Sequence, residues 1–445
     1  MALDPALTSS ASHARRVVMN VVAPRDGATV LMVYVVLLLG LPSRLVFAPL
    51  GGAGTPASLL GIAGAGWWTW HQVARATPSR TTRIHPVRWA ALVFAISIVA
   101  SFVAGMMRPI APDEASTSQL GLLTLLSWIG VLLVAHDGPI TRARLDAVLT
   151  WLVLGAGLVA TLGIVQFVTG RALTNYIVVP GLTLNNALVS LGTRSGFNRP
   201  AGTALHAIEF GVVITMLLPI CLHYAMFPGR LGRIRRWLPV LAIAFAVPIS
   251  VSRSAIVGVI VTFAVMAPTW RPAVRRTAAL VSLSVLTVVF VTIPGMAGTL
   301  IGLFTGVSTD SSALSRTDSY ALAWDFISRA PIFGRGFLTF LPKYRILDNQ
   351  YLGLLIDAGV FGLAAFLFLL MAGIVAAQTA RRRMTDPRDR DLAQALTASV
   401  AVALVSYALF DGFSFPMFAG VTFLMVGCAG CLLRLTPRDS SRVRA

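Results

Sequence analysis

Long apolar runs recur along the 445-residue chain, from the first fifty positions to the last thirty, separated by short polar stretches. Each approaches the ~20 residues a helix needs to cross ~30 Å of hydrocarbon. The runs predict an all-α polytopic membrane protein of twelve helices, a single membrane domain over 1–445. The spans lie at roughly 28–47, 55–74, 89–107, 119–135, 146–168, 207–227, 237–251, 254–269, 277–298, 350–379, 391–410 and 413–433. Composition agrees: 56% of residues are hydrophobic, 12% are charged and mean hydropathy is +0.79, which excludes a soluble fold. Pro42 and Arg44 lie near the outer end of the first span. No small-residue cleavage site follows its apolar core, so it reads as a retained signal anchor.

A net charge of +19 raises nucleic acid as a partner, but the placement of the charge argues against it. Basic clusters follow every second span, among them Arg142 and Arg144, Arg235 and Arg236, Arg275 and Arg276, and Arg381 to Arg383. The seven segments on that side carry a balance of +17, and the opposite side carries +2. This is positive-inside topology with both termini cytoplasmic, and the basic loops meet anionic membrane lipids. Cys221, Cys428 and Cys431 fall inside predicted spans, and no disulfide is expected.

Two long connections, 170–205 and 299–349, both lie on the outer side and hold eight of its eleven basic residues. The first ends in Gly196-Phe197-Asn198-Arg199-Pro200-Ala201-Gly202-Thr203. Gly and Pro around Arg199 predict a stiffly held arginine at the membrane surface, either a ligand-binding group or a side chain reaching lipid phosphate. His206 and Glu209 share the first turn of the next helix, His206 as a candidate base or a solvated entry residue. Trp237 to Thr269 is 33 residues, whereas two crossings need about 40. The hairpin apex Ser250-Val251-Ser252-Arg253-Ser254 therefore draws Arg253 below the headgroups, where a charge requires a partner or an anion.

In the second connection, Ser315-Arg316-Thr317-Asp318 predicts a helix entry. Tyr320, Trp324 and Ile327 then form one apolar stripe of an amphipathic helix that Pro331 stops. Gly334-Arg335-Gly336 is a turn. Arg345, Asp348, Asn349, Gln350 and Tyr351 stand at the mouth of the tenth span, with Asp357 two turns further in.

Arg199, Arg253, Arg316 and Arg345 together suit a membrane-embedded polyanion such as a lipid diphosphate, because the planar guanidinium fork grips phosphate oxygens and stays charged when partly desolvated. Their contacts become catalytic, Arg253 included, when they stabilise the charge of a departing diphosphate. No metal and no other cofactor is required by this scheme. Asp348 is the first candidate for the base that takes a proton from an acceptor hydroxyl, and it is equally placed to cap the tenth span. Asn349 and Tyr351 join His206 and Glu209 as secondary candidates.

The Arg-Pro-x-Gly-Thr segment (Arg199 to Thr203), the Ser-Arg-Ser break (Ser252 to Ser254), the Arg316-to-Trp324 helix and Asp348-Asn349-Gln350-Tyr351-Leu352 leading into Gly359-Val360-Phe361-Gly362-Leu363 form an ordered series. It resembles the O-antigen ligase and O-antigen polymerase family of membrane glycosyltransferases over roughly 196–370. The resemblance implies inverting transfer of a glycan from an undecaprenyl-type diphosphate carrier to a glycan or glycolipid acceptor, at the outer face of a bacterial cytoplasmic membrane, without nucleotide sugar or metal. It assigns diphosphate binding to Arg199, Arg253 and Arg316. Ligases of the family usually have His-Asn where this chain has Asp348-Asn349, a departure similar to polymerase-like members. A multi-span transporter or a lipid-linked glycan flippase is the competing expectation. A transporter of that size normally carries its long loop inside, between two halves, and a flippase needs basic residues through the membrane rather than near one leaflet.

Overall fold

A computed structural model describes residues 26–74, 85–185, 191–194, 196–227, 232–305 and 311–437, with the side chains of 233, 304 and 311–319 also outside the description. Both chain ends, the basic residues Arg75, Arg80, Arg83 and Arg230, and the side chain of Arg316 thus lie outside the described residues. The helices are α1 (Gly27–Val35, extended by a wide turn to Gly40), α2 (Pro56–Val73), α3 (Pro86–Met106), α4 (Pro112–Asp137), α5 (Arg142–Thr169), α6 (Ala207–Met226) and α7 (Arg233–Ile249). They continue as α8 (Arg253–Met266), α9 (Pro272–Thr292), α10 (Met296–Thr305), α11 (Ser311–Arg329), α12 (Gln350–Arg383), α13 (Pro387–Ser406) and α14 (Pro416–Leu435). Proline opens α2, α3, α4, α9, α13 and α14, where its fixed φ fits the first turn and its missing N–H costs nothing.

The molecule is an all-α polytopic membrane protein. Seven helices, α3, α4, α5, α6, α9, α12 and α14, are long and apolar enough to cross a bilayer. The remaining predicted spans coincide with shorter or more polar helices: α1, α2, α7, α8 and α13. Several predicted boundaries move by four to seven residues, and two of these shifts have a visible cause. The first helix stops at Gly40 rather than near 47, because Leu45 and Val46 pair with Thr183 and Leu184 as strands β1 (Leu45–Val46) and β2 (Thr183–Leu184). Buried Arg44 ties the same turn to Thr174 Oγ1 at 2.8 Å and to Asn175. The ninth stops at Thr292, and Pro294-Gly295 separates it from α10.

α6 and α14 form the centre, with 89% of their apolar windows buried, whereas α9 stands at the periphery with 6%. α13 packs on α6 and α8, α12 on α3, α13 and α14, α4 on α2 and α14, and α5 on α7. Near the Pro416 end of α14, Phe94, Trp128, Phe366, Tyr407, Phe413 and Phe423 interlock, Trp128 and Phe423 stacked at 5.2 Å between centroids. Tertiary packing of apolar helices, not propensity, holds such a bundle.

α11 spans the predicted amphipathic helix, and its apolar side chains divide between the bundle and the outside. Ala323 and Ile327 are buried while Tyr320 and Trp324 are 52% and 70% exposed, so the aromatic pair faces outward. The inward face is the i, i+4 pair that meets Ile356 and Leu347.

α12 is broken at Gly359, whose φ of 64° and ψ of −169° only glycine adopts readily. The chain at 331–336 fills the break. Val360 N–H and Phe361 N–H donate to the carbonyls of Pro331 and Ile332, while Arg335 N–H and Gly336 N–H donate to those of Ile356 and Asp357. Asp357 completes the joint by accepting from Leu338 N–H and Phe340 N–H at 3.1 and 3.0 Å. Backbone groups freed inside a membrane helix are thereby satisfied by protein. Arg335 anchors the far side: its Nη2 donates to Glu114 at 2.7 Å, and Arg108 and Tyr344 share that carboxylate. The Gly-Arg-Gly turn is thus a structural clasp between the second long connection, α4 and α12.

Candidate functional site

Helix ends at one surface of the bundle gather polar groups around the entry of α6. Arg199 ends a hairpin of β3 (Gly192–Arg194) and β4 (Phe197–Arg199), in which Gly192 faces Arg199. The segment behind it is fixed by one buried amide. Gln166 Oε1 accepts from Ala201 N–H and Gly202 N–H at 3.1 and 2.8 Å, and its Nε2 donates to Gly202 O at 3.0 Å. Thr203 Oγ1 donates to Leu39 O, and Ser43 N–H to Thr203 O. Gly202 lies at φ +58° with Phe210 and Val159 3.1 Å from where a Cβ would stand, so the position requires glycine.

Held this way, Arg199 donates through Nε to Ser250 O at 3.4 Å, and its buried Nη2 has no hydrogen-bond partner among the described residues. Burial and the neighbouring charge of Arg194 lower its pKa to about 10, so it remains a cation at neutral pH. A buried guanidinium donor without an acceptor is the feature an anionic ligand would satisfy.

Ser250 belongs to the break between α7 and α8. Helices of 17 and 14 residues rise only about 26 and 21 Å, so the apex is short of a full crossing. Val251 turns the chain at φ +47°, a left-handed conformation that costs a buried β-branched residue on the order of 1–3 kcal/mol. Ser250 Oγ donates to Val247 O at 2.6 Å and Ser252 Oγ accepts from Ala255 N–H at 3.4 Å, which satisfies the groups opened by the turn. The apex seats on α6 at Gly211, where a Cβ would lie 2.8 Å from Ala255 and 3.2 Å from Ser250 Oγ. Arg253, half-buried, begins α8 beside this seat.

Asn349, not Asp348, caps α12, accepting from Tyr351 N–H at 3.0 Å and Leu352 N–H at 3.3 Å. Asp348 is half-buried one residue before the cap. Gln350 joins this entry to the α13–α14 connection: its N–H donates to Tyr407 O and its Oε1 accepts from Phe413 N–H, both at 2.8 Å. That connection carries Asp411. Burial raises the Asp411 pKa to about 6, opposed by the Ser414 hydroxyl and reinforced by the negative charge of Asp348. His206 lies in the same field. Burial lowers its pKa, Arg199 lowers it further, and Asp348 pulls it back up. Its Nδ1 accepts from Ile208 N–H at 3.2 Å, capping α6.

Arg199, His206 and Asp348, predicted from separate segments, therefore share one electrostatic neighbourhood, and Arg199 touches the break that carries Arg253. Arg345 is half-buried in the connection just before Asp348. Arg316 has its backbone in α11 and its side chain outside the described residues. The secondary candidates divide. Glu209 is fully buried and committed to backbone, accepting from Leu205 N–H, Met417 N–H and Phe418 N–H at 2.7, 2.7 and 3.1 Å. It closes the turn before α6 and caps α14. Tyr351 donates to Leu404 O, and Asn349 is the α12 cap. Asp411, Arg194 and Gln166 went unnoticed in the sequence. The signal for Asp411 was a lone outward carboxylate in an Asp-Gly turn between two apolar helices.

The arrangement defines a helical membrane protein with an arginine–carboxylate site at one end of its bundle. Residues 238–367 match the family model described as O-antigen ligase, a stretch from α7 to the first half of α12 that includes Arg253, Arg316, Arg345 and Asp348. The match covers less than a third of the chain, makes that stretch similar to O-antigen ligases and supports an assignment to the O-antigen ligase and polymerase family. No curated protein matches the chain.

Proposed function

We propose that the protein is a bacterial inner-membrane glycosyltransferase that moves a glycan from a polyprenyl diphosphate carrier to a sugar hydroxyl of a glycan or glycolipid acceptor. In this reading twelve membrane helices, two of them the short α7–α8 hairpin, with both termini cytoplasmic put the site on the outer face. The observation that carries this reading is the buried Nη2 of Arg199, which has no hydrogen-bond partner among the described residues and is held against the Arg253 break, with His206 in the field of both Arg199 and Asp348.

In the proposed reaction Arg199, Arg253, Arg316 and Arg345 bind the diphosphate. The acceptor oxygen attacks the anomeric carbon from the face opposite the diphosphate and inverts it. The new C–O bond forms as the bond to the diphosphate breaks, the electron pair leaves on the diphosphate and the proton passes to Asp348. Arginine charge stabilises the departing oxygen without metal or nucleotide cofactor. Asp411, its pKa raised to about 6 chiefly by burial, is a second carboxylate beside Asp348 in this reading.

A flippase would need a polar track. The cavity that runs between α6, α7, α8 and α9 is instead lined in its middle by Val240, Ile243, Val259, Phe263 and Val281.

Purified protein supplied with polyprenyl diphosphate oligosaccharide and acceptor, with chelator present, is expected to yield a transferred or lengthened glycan. Folded Arg253→Ala and Asp348→Asn variants should lose at least about 100-fold in rate. Full activity in either variant removes that residue from the site, and no product from wild type with a range of donors overturns the function.

A further inference from the structure

The same cavity, about 1340 Å³, has a second chemical feature at its other end. Near the site it is bounded by Pro248 and Ile256, which flank the Val251 break. Its far end is lined by Arg236 at the start of α7, Trp270 after α8, Arg271 before α9, Arg381 at the end of α12 and Arg390 at the start of α13. Alternating helix direction places all five at the membrane surface opposite the candidate site. Peripheral α9 forms one wall, so the cavity is separated from surrounding lipid by a single loosely packed helix.

Several of these donors are buried without acceptors. Trp270 is 7% exposed, and its Nε1 has no hydrogen-bond partner among the described residues. The same holds for Nε and Nη1 of Arg236 and for Nε of Arg381. The acid on the described lining, Asp391, is engaged by His223 Nδ1 at 2.7 Å and its charge also reaches Arg381, so one carboxylate stands against four arginines. Cationic and indole donors removed from water at the rim of an apolar chamber cost free energy until an anion meets them. A phosphate on two acyl chains supplies both halves of the fit, oxygens for the rim and hydrocarbon for the walls.

We propose that this end of the cavity binds one anionic phospholipid from the leaflet opposite the candidate site. Its phosphate accepts from Arg236, Arg381 and the Trp270 indole N–H, with Arg271 and Arg390 adding charge, and its chains lie along α9. The proposal is independent of the transfer reaction.

Native mass spectrometry of the full-length protein, titrated with dioleoyl phosphatidylglycerol or dioleoyl phosphatidylcholine and no glycan donor, tests it. Wild type is expected to retain one phosphatidylglycerol roughly tenfold more tightly than phosphatidylcholine. An Arg236→Gln/Arg381→Gln double variant should lose roughly tenfold for phosphatidylglycerol alone. Trp270→Phe, which keeps the apolar ring, should lose about threefold and carries the test if the double variant does not fold. Equal retention of the two lipids, or undiminished phosphatidylglycerol binding in a folded variant, overturns the proposal. Displacement of the lipid by an equal concentration of soluble glycerol phosphate would also overturn it, because the rim would then be a site for free phosphate.

Discussion

Replacing Gln166 by leucine should loosen the segment that presents Arg199 without altering a charge. Gln166 is 1% exposed, and its amide satisfies two backbone N–H groups and one carbonyl at 201–202. Leucine has similar bulk, so the penalty comes from polar groups left without partners rather than from a void. Each orphaned group costs about 1–3 kcal/mol. Three at the lower bound give roughly 3 kcal/mol, which is about 100-fold in the local opening equilibrium at ~1.4 kcal/mol per decade. Hydrogen exchange of the full-length variant reads this directly. Amides of Ala201, Gly202 and Ala204 should exchange about 100-fold faster, while those of α12 and α14 serve as internal references and stay unchanged. Transfer activity should fall with them, because a mobile Arg199 no longer meets a diphosphate pre-oriented. Wild-type exchange at 201–204 in a folded Gln166→Leu protein would refute the claim that this amide holds the site.

Removing the neighbouring negative charge by Asp348→Asn should lower the Asp411 pKa from about 6, since a carboxylate is easier to form without a negative neighbour; the Asp411 carboxyl titration read by carbon-13 NMR then moves to lower pH, and a titration that stays put excludes the coupling. Gly359→Ala should cost at least about 4 kcal/mol, because a Cβ would sit 2.2 Å from Ile332 O in a conformation alanine does not tolerate; a melting temperature within a few degrees of wild type would show that the break can straighten. Val251→Gly relieves a strain on the order of 1–3 kcal/mol but gives up a fully buried side chain worth about 1.5–3 kcal/mol and frees the unfolded chain, so stability should be unchanged or fall by about 1 kcal/mol; a clear rise in melting temperature would show the strain to be larger than this.

Hydropathy located the helices because a lipid-facing helix must be apolar throughout its length, and the short α7–α8 pair was visible as a shortage of residues. The first span was overestimated for the same reason: Leu45, Val46 and Phe47 are apolar, but the first two pair as a strand with residues some 140 positions away, which no local pattern encodes. In α11 the predicted stripe divides, Ile327 buried against the bundle and Tyr320 and Trp324 exposed, since Tyr and Trp count as apolar while being suited to an interface. The insertion of 331–336 into the Gly359 break is also non-local, although Gly334, Gly336 and Gly359 were all in view. At the site, arginine and aspartate were noticed because charges beside lipid are conspicuous. Gln166 was not, since a neutral amide near a helix end looks ordinary until the segment it holds is placed opposite.

The choice between His206 and Asp348 as base turns on one hydrogen bond. Nδ1 of His206 accepts from Ile208 N–H to cap α6, which requires that nitrogen to be unprotonated and leaves the ring proton of the neutral form on Nε2. The exposed nitrogen is thus a donor. Taking a further proton would break the cap and place a cation beside Arg199, in line with the lowered pKa. His206 is therefore suited to donate to a sugar or phosphate oxygen. Under the proposed function Asp348, which does not cap α12, is then the group assigned to accept. His206→Asn, which keeps a side-chain acceptor for the cap, should reduce transfer only about tenfold and leave the acid limb of the pH profile in place. An acid limb that disappears in that variant would make the histidine the base.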